Sequence, residues 1–214
     1  MKVLLATGPV VAALALLAAG CGSSGHTAAT PTATATPPNA APHCAYALGW
    51  KKLANRIAAD VYCPGWLPDP LTAQIGGKWN NINSVSRDRS YLESFVWQET
   101  QIGVNGAGGE LHVNLRGYPG KAAIPTCLAG LTDKTPTPCF ADRKAKVTEN
   151  GITATLFTVN QDADQWHLLL AWRHKGSLYT VSEHLAPPLD YRKDVQYLKR
   201  ELRSLVLIRP STST

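Results

Sequence analysis

Between Ala45 and Asp60 the apolar positions are Trp50, Leu53 and Ile57, followed by Val61, and Lys51, Lys52, Asn55 and Arg56 lie between them. That spacing predicts a helix with one buried stripe. The prolines from Pro64 to Pro70 stop it, because proline removes a backbone donor and clashes with the preceding turn. A strand is then expected over Leu71 to Gly76, and another over Tyr91 to Glu99, which is rich in Phe, Val and Trp. From Glu110 to Arg116 the pattern changes to strict alternation. Leu111, Val113 and Leu115 face one way and Glu110, His112, Asn114 and Arg116 the other, the mark of a half-buried strand.

The second half of the chain continues in this period. Tyr118 to Asp142 is irregular and rich in proline. Asn150-Gly151 is a hairpin signal, since both residues accept positive φ, and it joins Ala145–Glu149 to Ile152–Asn160. Asp162-Ala163-Asp164 reads as a turn, although two aspartates also raise the idea of a calcium loop. The next strand, Gln165–His174, sets Trp166, Leu168, Leu170 and Trp172 against Leu169 and Ala171. Lys175-Gly176 turns it into Ser177–His184. Asp190 is a fair N-cap for a last helix, with Tyr191, Val195, Leu198, Leu202 and Leu205 at i, i+4, i+7, i+11 and i+14. The expected class is α+β: a meandering antiparallel sheet of five to seven strands, with an N-terminal and a C-terminal helix packed on one face.

The first forty-two residues have a different texture. Lys2 precedes an apolar, uncharged run from Val3 to Gly20, which has the order of an export signal. The run is short for a membrane-spanning helix and is interrupted by Gly8-Pro9. Its ending, Leu17-Ala18-Ala19-Gly20-Cys21, resembles the bacterial lipobox. That resemblance implies cleavage before Cys21 and a lipid on its sulfur, so residues 1–20 are expected to be a signal peptide and the membrane a partner through the lipid. Two acyl chains hold a protein stably where one does not. After Cys21, residues 22–42 are Gly, Ser, Thr, Ala and Pro apart from His26 and Asn39, so residues 21–42 read as a lipidated cysteine and a tether. Such a segment cannot bury enough apolar surface to fold, and fully extended it spans roughly 60 Å. Residues 43–210 are left as one extracytoplasmic domain.

That location gives the remaining cysteines a meaning. Cys44, Cys63, Cys127 and Cys139 are an even set in an exported chain, which argues for two disulfides. Of the three possible pairings, Cys44–Cys63 and Cys127–Cys139 need the least long-range geometry. No pair has C-x-x-C spacing and no histidine follows at ligand spacing, so a metal is not expected in their place. Net charge is +6, but the basic residues are dispersed. Arg192, Lys193, Lys199, Arg200 and Arg203 have the spacing of a solvated helix face, with anionic lipid headgroups as the alternative contact. Nucleic acid is not an expected partner.

Two stretches are similar to a family of uncharacterised extracytoplasmic domains found in bacterial lipoproteins and in the outer parts of anti-sigma-type membrane proteins. One is Val61-Tyr62-Cys63-Pro64-Gly65-Trp66-Leu67-Pro68. The other runs from Asn150-Gly151-Ile152 through Leu170-Ala171-Trp172-Arg173-His174-Lys175-Gly176-Ser177-Leu178-Tyr179-Thr180-Val181. The chain departs from that pattern at Pro68-Asp69-Pro70. The resemblance implies a sheet with a terminal helix and a sensory or binding role, and it brings no catalytic residues.

The chemistry legible in the chain is sparse. There is no G-x-S-x-G, H-E-x-x-H, S-x-x-K or P-loop, so neither catalytic residues nor a cofactor or metal are expected. His112, His167 and His184 converge only if their strands are neighbours; solvated or hydrogen-bonded histidines are the default. The six tryptophans suit core filling or an aromatic groove. Trp79-Asn80-Asn81-Ile82-Asn83 is the most ligand-like stretch, mixing an aromatic with amides, and Trp79, Asn80, Asn81 and Asn83 are its candidate contacts for a protein or small envelope ligand. A non-catalytic binding or sensing module is the favoured function. An envelope-acting hydrolase or a structural envelope lipoprotein are the alternatives.

Overall fold

The computed structural model describes residues 41–78, 82–98, 110–129, 132–186 and 189–211. Helix α1 covers Ala47–Ile57 and buries Trp50, Leu53, Ala54 and Ile57, the residues of the predicted stripe. It ends where Ala58 turns left-handed (φ 47°), two residues before the expected limit. Strand β1, Val61–Pro64, follows directly. Leu71 to Gly76 forms no strand. It folds into turns closed by Leu71 N–H donating to Pro68 O and Gly77 N–H to Gln74 O.

The central sheet comprises β2 (Ile82–Val85), β3 (Tyr91–Gln98), β4 (Glu110–Tyr118), β7 (Phe140–Glu149), β8 (Ile152–Asn160), β9 (His167–His174) and β10 (Ser177–His184). Its order is β2-β3-β4-β10-β9-β8-β7, and every pair is antiparallel. Two meanders, β2 to β4 and β7 to β10, therefore meet along the β4–β10 seam. Both predicted hairpin turns are present, each with two positive φ values: Asn150 (49°) and Gly151 (73°), then Lys175 (47°) and Gly176 (74°). The expected strand from Gln165 begins instead at His167. Trp166 sits in a turn at φ 66° and is 73% exposed. Two short strands, β5 (Thr126–Leu128) and β6 (Pro136–Pro138), pair within the Pro-rich stretch.

Helix α2 covers Tyr191–Ser204, and the Asp190 carboxylate accepts from Lys193 N at 2.9 Å, as a cap should. Leu205 does not extend the helix. It starts β11 (Leu205–Ile208), which pairs with β1 in a separate two-stranded ladder. The apolar run Leu205-Val206-Leu207-Ile208 continues the helical period for one more turn, but its β-branched residues also suit a strand. The available edge of β1 decides between them.

The main core joins Trp50 and Ile57 of α1, Leu198 and Leu202 of α2, and Phe95, Val113, Leu170 and Val181 of the sheet. A second cluster lies on the other face of the sheet, where Phe140, Phe157, Leu169, Ala171 and Leu178 pack with Tyr118, Ile124 and Cys139. Both disulfides have the nearest-neighbour pairing, Cys44–Cys63 and Cys127–Cys139. Among the described residues no helix is long and apolar enough to cross a membrane.

Candidate functional site

The register places three histidines in one row across adjacent strands. His184 on β10 is the partner of His167 on β9. On the other side of β10, Glu183 pairs with Val113, so His112 on β4 is the next position out, level with His184. One ligand nitrogen from each of the three rings lies within 4.8 Å of those of the other two. The His112 and His167 rings meet edge to face at 4.6 Å, and His167 stacks on His184 at 5.0 Å. This is the convergence that the sequence made conditional on strand order.

Each ring has an oxygen near Nδ1, hydrogen-bonded at His167 and a looser ionic approach at the other two. Ser182 Oγ donates its one proton to Asp164 Oδ1 at 2.7 Å, so at its 2.9 Å contact with His167 Nδ1 it accepts. His167 therefore carries its proton on Nδ1, leaving the Nε2 lone pair free. Glu110 Oε1 lies 3.4 Å from His112 Nδ1 and 3.2 Å from His184 Nδ1. A single carboxylate thus faces both rings, and Ser94 Oγ stands 2.9 Å from His112 Nε2. Burial, aided by His112, His184 and Arg116, pushes the His167 imidazolium down to about 2. Burial also lowers His112, partly offset by Glu110. Neutral imidazoles with Nδ1 bound to an acceptor are the form in which histidine ligates metals.

Behind this row lies a buried polar chain. Asp164, only 6% exposed, accepts from Asn114 Nδ2 at 3.0 Å and pairs with Arg116 Nε at 2.9 Å. The polar side of β4, expected to face solvent, is covered instead: Asn114 is 1% exposed. The turn Asp162–Asp164 folds over it and supplies the counter-charge. Sequence reading saw Asp164 as a turn former, with a calcium loop as the alternative. Its one signal was the alternation of Asn114 and Arg116 on a strand that needed a partner for them.

The other candidates are dispersed. Trp79, Asn80 and Asn81 lie outside the described residues, as does Cys21. Asn83 is exposed on β2 and pairs with Glu93, on the sheet face opposite to His112. Trp50 and Trp172 are core. Trp66 lies under the Arg200 guanidinium at 4.0 Å. The basic residues of α2 are exposed. His174 lies 3.4 Å from Asp60, away from the histidine row.

No family model matches this chain, nor does any curated protein or solved structure.

Proposed function

We propose that this chain is a lipid-anchored extracytoplasmic binding protein whose ligand is a divalent transition-metal ion held by His112, His167 and His184. The observation that carries the reading is the convergence of three imidazoles, one with Ser182 Oγ hydrogen-bonded at Nδ1 and the other two with the Glu110 carboxylate nearby. A tetrahedral ion with 2.0–2.1 Å bonds sets its nitrogen ligands about 3.3 Å apart, so the rings need only modest rotations to close on it. Ser94 turns aside as His112 Nε2 engages. Three imidazole nitrogen donors without a thiolate suit Zn(II) or Cu(II) rather than the hard cations Mg(II) and Ca(II). The domain binds rather than converts.

The surrounding architecture supports this reading. The core shared by α1, α2 and one sheet face is consistent with both helices covering that face, which leaves the histidine row on the other. The two disulfides suit an oxidising compartment outside the cytoplasm. Cys21 carries the lipid, and residues 22–42 act as a spacer between the membrane and the domain.

The test is calorimetric titration of the chelator-stripped full-length chain, in detergent, with Zn(II), Cu(II) and Mg(II). One equivalent of Zn(II) or Cu(II) is expected, with a Kd on the order of 1 µM or tighter, and none of Mg(II). The double substitution His112→Gln with His184→Gln, both on half-buried rings, should weaken binding at least ~100-fold with the melting temperature of the metal-free protein retained. Unchanged binding in that variant rejects the site.

A further inference from the structure

The start of α1 carries a patch that the histidine site does not use. Leu48, in the first turn, is 81% exposed, the highest value for a large apolar side chain among the described residues. Beside it a shallow groove of about 480 Å³ is lined by Ala47, Leu48, Lys51, Leu207, Ile208 and Arg209. None of these is acidic. The tail of the chain builds one wall as it returns along α1: Lys51 Nζ donates to Arg209 O at 2.7 Å and Ser211 N–H to Asn55 Oδ1 at 2.7 Å. Lys52, exposed and one turn on from Leu48, adds a third cation on that side. Among the described residues no carboxylate lies in ion-pair range of Lys51, Lys52 or Arg209. Asp60 is the first acidic residue of the chain and Glu201 the last, so neither the tether, α1 nor β11 carries an acidic side chain. Helix α1 also begins without a capping side chain or an acid in its first turn, and its amide dipoles add to the positive potential there.

We propose that this patch rests on the anionic headgroups of the membrane that holds the tether, with Leu48 entering the interface and Lys51, Lys52 and Arg209 meeting lipid phosphates. Apolar side chains flanked by cations are how peripheral segments sit at such a surface, and lysine stems lie along the interface while their ammonium groups reach the phosphates. The entry point of the chain favours this side. The tether joins the domain at His43, and the Cys44–Cys63 disulfide pins that entry to β1, whose Cys63 pairs with Val206 of β11. The basic face of α2 is the weaker candidate. There Arg200 lies over the Trp66 ring at 4.0 Å, Lys193 over Tyr197 at 4.9 Å, and Arg203 is paired with Glu149. One apolar residue and three cations bind weakly from solution. The tether confines the domain to within roughly 60 Å of the bilayer, which makes the contact intramolecular and raises its occupancy. Placement at the membrane rests on the lipid-anchor reading; the affinity of the patch for an anionic surface does not.

The probe is a phosphatidylcholine vesicle with or without about one-third phosphatidylglycerol. The protein is the chain from residue 21 carrying Cys21→Ser, which keeps the compact unit of residues 40–214 whole. Flotation should show binding to the anionic vesicle at least ~10-fold tighter than to the neutral one, and its loss in high salt. Leu48→Ser should weaken that binding at least ~5-fold. Lys52→Gln with Arg209→Gln should weaken it at least ~10-fold. Both variants should keep their melting temperature, because these side chains are exposed. Arg192→Gln with Lys199→Gln removes the same charge from α2 and should weaken binding less than ~2-fold. Absence of a preference for the anionic vesicle, binding that survives Leu48→Ser, or an equal loss in the α2 variant overturns the proposal. So does a dimer in sedimentation velocity that Leu48→Ser dissociates, since a second copy then covers the patch. If palmitate fails to label Cys21 while anionic vesicles still bind, the anchor reading falls and the patch stands.

Discussion

Gly117 on β4 sits opposite Tyr91 of β3, and the Tyr91 ring packs close against it. A methyl group there would overlap Tyr91 Cε1 and come within 2.9 Å of Cζ. Tyr91 is itself 3% exposed and belongs to the main core, so the ring has little room to move. Gly117→Ala should therefore cost about 1–3 kcal/mol as overpacking, measured by urea denaturation; a change below about 0.5 kcal/mol would show that the ring can yield. Asp164 presents the converse case. A residue with the look of a turn former is buried and paired, and its value lies in what it orders: Asn114, Arg116 and Ser182. Its role was not legible locally, because the turn and the strands that supply its partners are separated by up to fifty residues.

At the scale of elements, α2 presents an anomaly. Asp194 and Glu201 lie two turns apart on its buried side and Glu183 faces them from β10; all three are 0% exposed. Their six carboxyl oxygens have no hydrogen-bond partner. Burial, reinforced by Asp190, lifts Asp194 to about 7; burial, reinforced by Asp194, lifts Glu201 to about 8. Burial, with Glu201 and Asp194, raises Glu183 further. The folded state thus holds protons that the unfolded chain releases near pH 4. Their stabilisation is complete below that pH and is lost as pH rises through the folded values. His167 acts in the opposite sense, since its depressed basicity lowers stability below about pH 6.5, where the unfolded histidine takes up a proton. Between pH 6.5 and 8 only the carboxyls act, so the melting temperature should fall across that window. Glu201→Gln, a near-isostere of the protonated acid, should leave stability at pH 5 almost unchanged and raise it at pH 8 by about 1–3 kcal/mol. Equal effects at both pH values would mean that Glu201 is not held protonated.

For the whole molecule the central question is how it is held. The domain buries two cores, one on each sheet face, and staples each region with a short disulfide. Loop closures of this length stabilise by about 3 kcal/mol each, which suits a protein without a cytoplasmic chaperone system around it. On the proposed reading, attachment falls to the lipid on Cys21. Cys21→Ser should abolish incorporation of labelled palmitate and shift the protein from the detergent-rich to the aqueous phase in a partition assay. Palmitate retained in that variant would remove the anchor from the account while leaving the histidine site intact.

What the sequence determined by itself was whatever depends on neighbours a few residues apart. The Trp50, Leu53 and Ile57 stripe made α1, the Asn150-Gly151 and Lys175-Gly176 turns made two hairpins, Asp190 capped α2, and cysteines twelve and nineteen residues apart found each other. Period, φ preference and loop-closure entropy are local quantities, and a chain states them locally. Strand order is not local. His112 meets His184 only because two meanders join at the β4–β10 seam, and Leu205–Ile208 leaves the helical pattern only because β1 offers an edge. Those pairings follow from which faces can be buried together across more than seventy residues of chain, and no short window of sequence contains that choice. The histidine row and the buried Asp164 were therefore decided by tertiary structure.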